Sequence, residues 1–339
     1  MGTLGTSRIT ETALLEAARG VADVTVTAVA ARDKSRAEAF ALRHGIPAAY
    51  GSYDELLADP DIDAIYNPLP NSQHGPWTLK AIAAGKHVLC EKPFASHAEQ
   101  AEQVAAAASA SGLVVMEAMH YRYHPLIARL RELVTELGPV QHLQCWTSFI
   151  ITDPRDIRYD YDLAGGALMD GGCYAIDCLR LLGGGEPSVS GALADPWPGG
   201  AAADERAAPG ERAADRAMAV RLAFPGGATG WFESAFTRDG EFRADVHVSC
   251  RDGQVWMQNF IQAHQGRLMA ARKGVLVADE HGSGDTTYTW QLRAFAAAIA
   301  AANEGNPADE ALPTSAAHAV ATMRVIDDAY RAAGLALRP

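Results

Sequence analysis

The chain is short of positive charge and of cysteine, and each shortage removes a class of function. Its 339 residues carry 29 Lys and Arg against 41 Asp and Glu, a formal charge of −12 at pH 7. That balance argues against a nucleic-acid or anionic-membrane partner, because a phosphate surface needs a basic face to meet it. It leaves a dinucleotide open, since a few local cations serve one. The five cysteines, Cys90, Cys145, Cys173, Cys178 and Cys250, are odd in number and scattered. They form no C-x-x-C pair and no Cys/His spacing of a zinc site, so neither a disulfide framework nor a metal is expected. Reduced thiols in a cytoplasmic protein are the economical reading, with Cys173 and Cys178 packing as small hydrophobes in one helix. No apolar stretch reaches transmembrane length, nothing of signal-peptide character stands before the first strand, and there is no internal repeat.

What is present divides into two patterns. Length gives a prior of roughly two domains, and with 48% hydrophobic residues each has material for a core. Up to about residue 120, strands alternate with helices: strands at 1–4, 24–30, 64–66, 86–90 and 113–116, helices at 10–22, 35–44, 53–57, 74–84 and 98–110. Such alternation implies right-handed crossovers and a doubly wound parallel sheet. The first domain, 1–122, is therefore read as an α/β Rossmann-type domain. After a helix at 125–136, strand-like runs follow at 140–151, 187–194, 216–224, 228–237, 242–250 and 254–260, joined by Gly-rich turns. These are hairpin signals. The second domain, 123–339, is read as α+β with a large, mostly antiparallel open sheet. A helix at 165–182 interrupts it, and helices at 289–303 and 313–333 close it, the last able to pack back on the first domain. The Pro-, Gly- and Ala-rich stretch 196–215 reads as a mobile surface loop. Trp231, Phe232, Phe236 and Trp256 make the sheet apolar, with too few helices to cover both faces, so a homodimer or homotetramer through the sheet is expected.

Several motifs carry chemistry. Glu91-Lys92-Pro93 ends a buried strand, at the edge where open parallel sheets bind ligands. Pro93 stiffens the backbone around Lys92, and the alternative is a plain surface Glu-Lys pair. In the first turn, Gly5-Thr6-Ser7-Arg8-Ile9-Thr10 keeps one glycine of a G-x-G-x-x-G pattern, with Ser7 and Thr10 in the other places. The helix behind it offers free N–H groups to a pyrophosphate. At the end of the second strand, where NAD enzymes place an acid on the ribose, no acid stands at Ala31. Arg32, Lys34 and Arg36 follow, and Arg32 and Arg36 could bracket a 2′-phosphate. The alternative is a solvated helix start capped by Asp33. Asn67-Pro68-Leu69-Pro70-Asn71 and His74 form a proline-stiffened loop at the same sheet edge. Asn71 could instead be a helix cap, and His74 a surface residue. In 165–177, Asp170 and Tyr174 lie four apart on one helical face, behind glycines that allow close approach to a ligand. A carboxylate one turn from a proton-exchanging group suits proton transfer to a hydroxyl. The alternative is a buried helix with satisfied polar residues.

The run Ala81-Ile-Ala-Ala-Gly-Lys-His-Val-Leu-Cys-Glu-Lys-Pro93, with Glu117-Ala-Met-His-Tyr-Arg122 and Gly165-Gly-Ala-Leu-Met-Asp170-Gly-Gly-Cys-Tyr174, resembles the glucose–fructose oxidoreductase, inositol dehydrogenase and rhizopine-catabolism (Gfo/Idh/MocA) family. The resemblance spans nearly the whole chain and points to the glucose–fructose oxidoreductase and dihydrodiol dehydrogenase branch, where Tyr replaces the more common His at position 174. It implies hydride transfer between a nicotinamide and a secondary alcohol or carbonyl of a sugar, cyclic polyol or dihydrodiol. The expected cofactor is NADP, with NAD possible, held by Gly5, Thr6, Ser7, Arg8, Ile9, Arg32, Arg36, Pro68, Leu69, Asn71, His74, Glu91, Lys92 and Arg122. Lys92, Tyr174 and Asp170 would be catalytic, with Arg158 and Tyr288 beside the substrate; Arg122 could alternatively form a salt bridge across the domains. Lys92 and Tyr174 lie in different domains, so both roles require the two domains to share one substrate. A dinucleotide-binding sensor without chemistry and an NAD-dependent glycosidase are the other readings.

Overall fold

The runs Ala28–Ala30, Ala64–Asn67 and His87–Cys90 are buried from end to end. Short strands buried on both faces are what a parallel sheet between helices requires. The computed structural model of the chain describes residues 1–197, 212–306 and 312–339. Its first part runs β1 (Gly2–Leu4), α1 (Arg8–Thr10, continued by a π-helical stretch Glu11–Glu16), β2 (Ala28–Ala30), α2 (Lys34–His44), β3 (Ala48–Tyr50), α3 (Tyr53–Leu57), β4 (Ala64–Asn67), α4 (His74–Ala83), β5 (His87–Cys90), α5 (Ala98–Ser111) and β6 (Val115–Glu117). The sheet order is β3-β2-β1-β4-β5-β6, all parallel. The order reverses at the β1/β4 pair, and a doubly wound sheet opens its ligand crevice at the carboxyl ends beside that point.

Three local expectations change. The strand expected over 24–30 shortens to Ala28–Ala30, because its neighbours β1 and β3 are each three residues long. Residues 24–27 are β-branched but have little ladder to join. The first helix gives way to a turn at Arg19 and Gly20 instead of reaching 22. Strand β3 has two alanines in three residues, a composition that carries little strand signal.

The second part contains α6 (Pro125–Glu136), β7 (Val140–Ile150), a π-helical turn Leu168–Gly172 leading into α7 (Cys173–Leu182), then β8 (Ser188–Trp197), β9 (Ala214–Ala223), β10 (Thr229–Thr237), β11 (Arg243–Cys250), β12 (Gly253–Gln258), β13 (Arg267–Arg272) and β14 (Val275–His281). Helices α8 (Thr287–Asn303) and α9 (Ala316–Ala332) follow. The eight strands run β14-β13-β12-β11-β7-β10-β9-β8, antiparallel except for the β7/β10 pair. Strands β13 and β14 were not anticipated. Their turn holds Lys273 and Gly274 at φ 48° and 79°, the geometry of a tight hairpin, without the usual Asn-Gly signal.

Alternation along the strands decides which side chains α7 covers. Leu143, Cys145, Phe232, Phe236, Val246 and Val255 are buried, and α7 packs on β7 and β10. Phe232 and Phe236 therefore belong to the covered face, not to an exposed one. Trp231 is one residue out of phase and stands on the other face with Trp146 and Trp256, all half-buried. The stretch read as a loop also changes at its ends. Trp197 closes β8 and Asp215 lies in β9, at 4% and 0% exposure, while 198–211 lie outside the described residues.

Packing groups the described residues into two units: Met1–Arg122 with Tyr288–Val320, and Tyr123–Thr287 with Ala321–Pro339. The second unit is thus interrupted in sequence. Thr314 and Ser315 explain part of this, since Glu117 N–H donates to Thr314 O at 2.9 Å and Ser315 bridges Met116 at the edge strand β6.

Candidate active site

In the first unit the turn after β1 is built for close approach. Gly5 sits at φ 83°, and its N–H donates to Ala30 O at 2.7 Å. A Cβ there would meet Leu69 Cδ2 at 3.1 Å, so glycine lets this turn and the loop after β4 lie together. Ser7 is the extended N-cap of α1, and no side chain caps that helix among the described residues. Its first-turn N–H groups point to where an anion would sit. Thr6, Ser7 and Ile9 are partly exposed and Arg8 is exposed.

Beside this turn, Arg36 Nη2 lies 3.4 Å from Thr6 Oγ1, and Arg32 hydrogen-bonds Tyr53. Both guanidinium groups are exposed. Asp33 caps α2 by accepting from Ser35 N at 2.9 Å, so the capping role and a cationic flank coexist in one segment. Ala31 is buried, with its N–H donating to Tyr50 O. The uncapped helix start, the left-handed glycine and two exposed guanidiniums at the end of β2 fit a dinucleotide with a charged ribose end.

The loop after β4 is organised from Asn67, a role that no pattern in the sequence marks. Its buried Nδ2 donates to His74 O at 3.1 Å and to Thr78 Oγ1 at 3.2 Å. Asn71 opens a short 3₁₀ turn, Asn71–Gln73, ahead of α4. His74 is not a surface residue: it is 1% exposed. Nδ1 lies 2.6 Å from Pro93 O and Nε2 lies 2.7 Å from Leu69 O. Two carbonyls favour an imidazolium, which could donate to both. Burial disfavours it more strongly, with the Lys92 ammonium acting the same way, and the pKa falls to about 4. The expectation that His74 touches a cofactor thus meets a buried ring set between two backbone carbonyls, of the Leu69 loop and the Pro93 loop, with one N–H to donate to one of them.

Lys92 follows β5 at the carboxyl edge, and its peptide bond to Pro93 is cis. Glu91 Oε1 accepts from Tyr66 Oη at 2.7 Å, and Oε2 accepts from the Lys92 N–H at 3.3 Å. Burial, then the Glu91 charge, push the Tyr66 hydroxyl well above its usual range, so it stays a donor. Glu117 Oε1 accepts from Phe94 N at 3.0 Å. Arg122 lies partly exposed in the 3₁₀ turn His120–Tyr123. Tyr288 packs tilted against His120 with ring centroids 4.0 Å apart and lies near enough to Tyr66 to raise its pKa. Lys92, Glu91, Tyr66, His120 and Tyr288 all belong to this unit.

In the second unit, Arg158 Nε pairs with Asp170 Oδ2 at 3.1 Å and Arg158 Nη1 with Asp156 Oδ2 at 3.1 Å. The Asp170 charge, partly opposed by burial, raises the pKa of Arg158. Asp170 lies in the π-helical turn and Tyr174 in α7, 4% exposed. A π turn is a local widening often found at functional sites. Spacing alone predicted an ordinary helical face here. Asp177 is wholly buried. The glycines approach protein, not a ligand space. A Cβ on Gly165 would meet Arg158 O at 2.5 Å, and one on Gly171 would meet Phe149 Cε2 and Ser234 Oγ at 2.7 Å each.

Residues 1–119 match the oxidoreductase family with an NAD-binding Rossmann fold, and residues 127–256 match the GFO/IDH/MocA C-terminal domain. D-xylose 1-dehydrogenase (NADP(+)) 2 of Haloferax volcanii is 35% identical over 338 residues, covering 98% of this chain and 96% of that protein. Trans-1,2-dihydrobenzene-1,2-diol dehydrogenase of Sus scrofa is 36% identical over 216 residues, 62% of this chain and 60% of its own. Among solved structures, a 3-ketoreductase from Actinomadura kijaniata in complex with NADP and TDP-benzene aligns with TM-score 0.83 at 26% identity, over 98% of this chain and 97% of that one. An aldose-aldose oxidoreductase from Caulobacter crescentus complexed with glycerol aligns with TM-score 0.81 at 26% identity, over 98% and 96%. With both halves matched, the chain belongs to the GFO/IDH/MocA family of oxidoreductases with an NAD-binding Rossmann fold.

Proposed function

We propose that the chain is an NADP(H)-dependent oxidoreductase acting on a secondary alcohol or carbonyl of a sugar, cyclic polyol or dihydrodiol. The observation that carries this most is Lys92, on the carboxyl edge of the parallel sheet, with the next residue's carbonyl against the His74 ring. The xylose and dihydrodiol dehydrogenases among its relatives support the substrate class. Arg32 and Arg36, with no acid at Ala31, support a 2′-phosphate over a free ribose diol.

In this reading the turn Gly5–Ile9 binds the pyrophosphate through α1's N–H groups, and Arg32 and Arg36 hold the 2′-phosphate. The loop Pro68, Leu69 and Asn71, with Glu91 and Arg122, walls the nicotinamide end. When bound, the nicotinamide gives or takes a hydride. Lys92 orients the substrate oxygen and lowers the cost of negative charge on it. Tyr174 gives or takes the hydroxyl proton at its Oη. Asp170, anchored by Arg158, fixes the substrate's orientation near Tyr174, and Tyr288 borders the substrate. All five cysteines are buried, in keeping with a cytoplasmic setting. No helix among the described residues is long and apolar enough to cross a membrane. The uncovered sheet face, with the Trp146 and Trp231 rings 5.1 Å apart edge to face and Arg243 over Trp146, supports assembly as a homodimer or homotetramer.

The test is a screen of pentoses, hexoses, cyclic polyols and dihydrodiols with NADP⁺ and with NAD⁺, following reduced-cofactor absorbance. Turnover with NADP⁺ on at least one substrate is expected. Dinucleotide binding without turnover in either direction on any of them would reject the reading.

A further inference from the structure

Beneath the Asp170 turn lies a buried polar cluster contributed by three distant parts of the chain. Arg338 and Asp215 form an ion pair at 2.7 Å with both side chains at 0% exposure. Arg338 Nε also donates to Gly165 O at 2.7 Å. The same Asp215 oxygen accepts from Tyr330 Oη at 2.7 Å, and its other oxygen accepts from Leu168 N at 2.6 Å. The guanidinium sits over the Tyr330 ring at 4.0 Å. Gly166 lies against the cluster at φ 136°, and a Cβ there would meet Asp215 Oδ1 at 2.1 Å. No side chain fits in that place.

Two of these bonds end on Gly165 and Leu168, the backbone between the two partners of the Arg158–Asp170 pair. Gly166 N–H donates to Arg158 O at 2.8 Å, Gly165 N–H donates to Asp160 O at 2.8 Å, and Asp170 N–H donates to Gly166 O at 3.0 Å. The cluster therefore grips a double-glycine segment that fixes the Arg158 backbone on one side and the Asp170 turn on the other. A buried ion pair is a weak device for stability, because removing two charges from water costs about what their attraction returns. Its value lies in specifying one arrangement. Two glycines in succession would otherwise leave this segment many conformations.

We propose that Arg338 and Asp215 are positioning residues that set the geometry of Arg158, Asp170 and Tyr174. They act through the 165–168 backbone and never touch substrate. The proposal rests on the roles given above to Asp170 and Tyr174, which Tyr174→Phe tests separately. Arg338→Lys keeps the charge but cannot bond Gly165 O and Asp215 together with a planar fork. Tyr330→Phe removes one hydrogen bond to Asp215 and keeps the ring under the guanidinium.

Turnover and NADPH affinity are measured for each variant alone and in a Tyr174→Phe background. Arg338→Lys should lower kcat on the order of tenfold, as small misplacements of reacting groups do. Its NADPH Kd and substrate KM should stay within about twofold. Tyr330→Phe should lower kcat about threefold in the same way. In the Tyr174→Phe background both effects should shrink to less than about twofold, because groups acting as a unit are non-additive. If Arg338→Lys does not fold, Tyr330→Phe carries the same comparison. Folded variants with wild-type kcat would overturn the proposal. So would an equal loss in both backgrounds, which would leave the Tyr174 assignment standing. Wild-type kcat in Tyr174→Phe alone would instead reject that assignment.

Discussion

On the proposed NADP(H) reading, replacing both Arg32 and Arg36 by Ala should leave a site that no longer distinguishes the two dinucleotides. Arg36 lies 3.4 Å from Thr6 in the turn after β1, and Arg32 bonds Tyr53, which packs edge-on against Trp77 with centroids 4.8 Å apart. The two guanidiniums thus flank one place at the end of β2. A charge-assisted bond to phosphate contributes about 1.5–3 kcal/mol. Both groups are exposed, so solvent screening favours the lower end, or roughly tenfold in Kd for each. On that reading the two share one phosphate and will not add fully, so a loss below the additive ~100-fold, about 30-fold, is expected for the double variant. NADH should weaken by no more than about twofold. The difference between cofactors matters because losing the Arg36–Thr6 contact could loosen the phosphate turn for both. Fluorescence titrations at low and high salt supply the assay. The NADPH preference should shrink with salt, since the Debye length falls from about 10 Å at 0.1 M to about 3 Å at 1 M. Equal weakening of NADH and NADPH, or a native protein that prefers NADH, would refute the reasoning.

Three further outcomes are expected. Tyr174→Phe and Lys92→Met should each lower kcat by roughly 10²–10⁴-fold with dinucleotide binding nearly intact, and the double variant should be little worse than either; near-normal turnover in Tyr174→Phe would move the proton role elsewhere. His74 has a folded-state pKa near 4 against 6.5 for the free group, so the unfolded chain binds a proton that the folded chain refuses. Stability from this group is full above about pH 6.5 and is lost as pH falls towards 4, on the order of 3 kcal/mol in total. Urea unfolding across that range should show the slope and His74→Gln should flatten it; an imidazolium persisting to neutral pH and donating to both carbonyls would leave no such slope. Trp231→Glu, on the sheet face that no described helix covers, should dissociate the proposed oligomer with dinucleotide affinity unchanged. Sedimentation of the native protein as a clean monomer at micromolar concentration would reject that assembly.

What could be read from the sequence follows from how local each signal is. The Gly45 stop of α2, the Asp33 cap and the Tyr53–Leu57 turn depend on neighbours within a few residues, and they stand where the pattern put them. The βα alternation gave the parallel sheet because each strand is buried on both faces and reads as an apolar run. Strands β13 and β14 were hidden because β14 is an edge strand, with Val275 and Leu276 more than half exposed and a turn of unusual composition. The π turn around Asp170 left no mark in a 3.6-residue pattern. Asp215, Tyr330 and Arg338 were invisible for a different reason. Each looks like an ordinary polar residue, and one fell in a stretch whose composition suggested a loop. Only the folded chain brings the three together.

His74 separates residue type from residue role. The resemblance of Pro70-Asn71-Ser72-Gln73-His74 to the family's loop implies that it belongs to a cofactor wall, and the loop does stand at the carboxyl edge of the sheet. The ring itself lies between Leu69 O and Pro93 O, and Asn67 holds the His74 carbonyl and Thr78. The loop after β4 and the loop carrying Lys92 therefore both pack on one imidazole, whose single N–H at neutral pH donates to one of the two carbonyls. A substitution in the Pro68–Pro70 wall should reach Lys92 by displacing that ring, without any contact to the lysine. The spacing of 18 residues between His74 and Lys92 thus acts as a constraint of the site. Shortening or lengthening α4 would shift the His74 backbone against β5, and the ring could no longer meet both carbonyls.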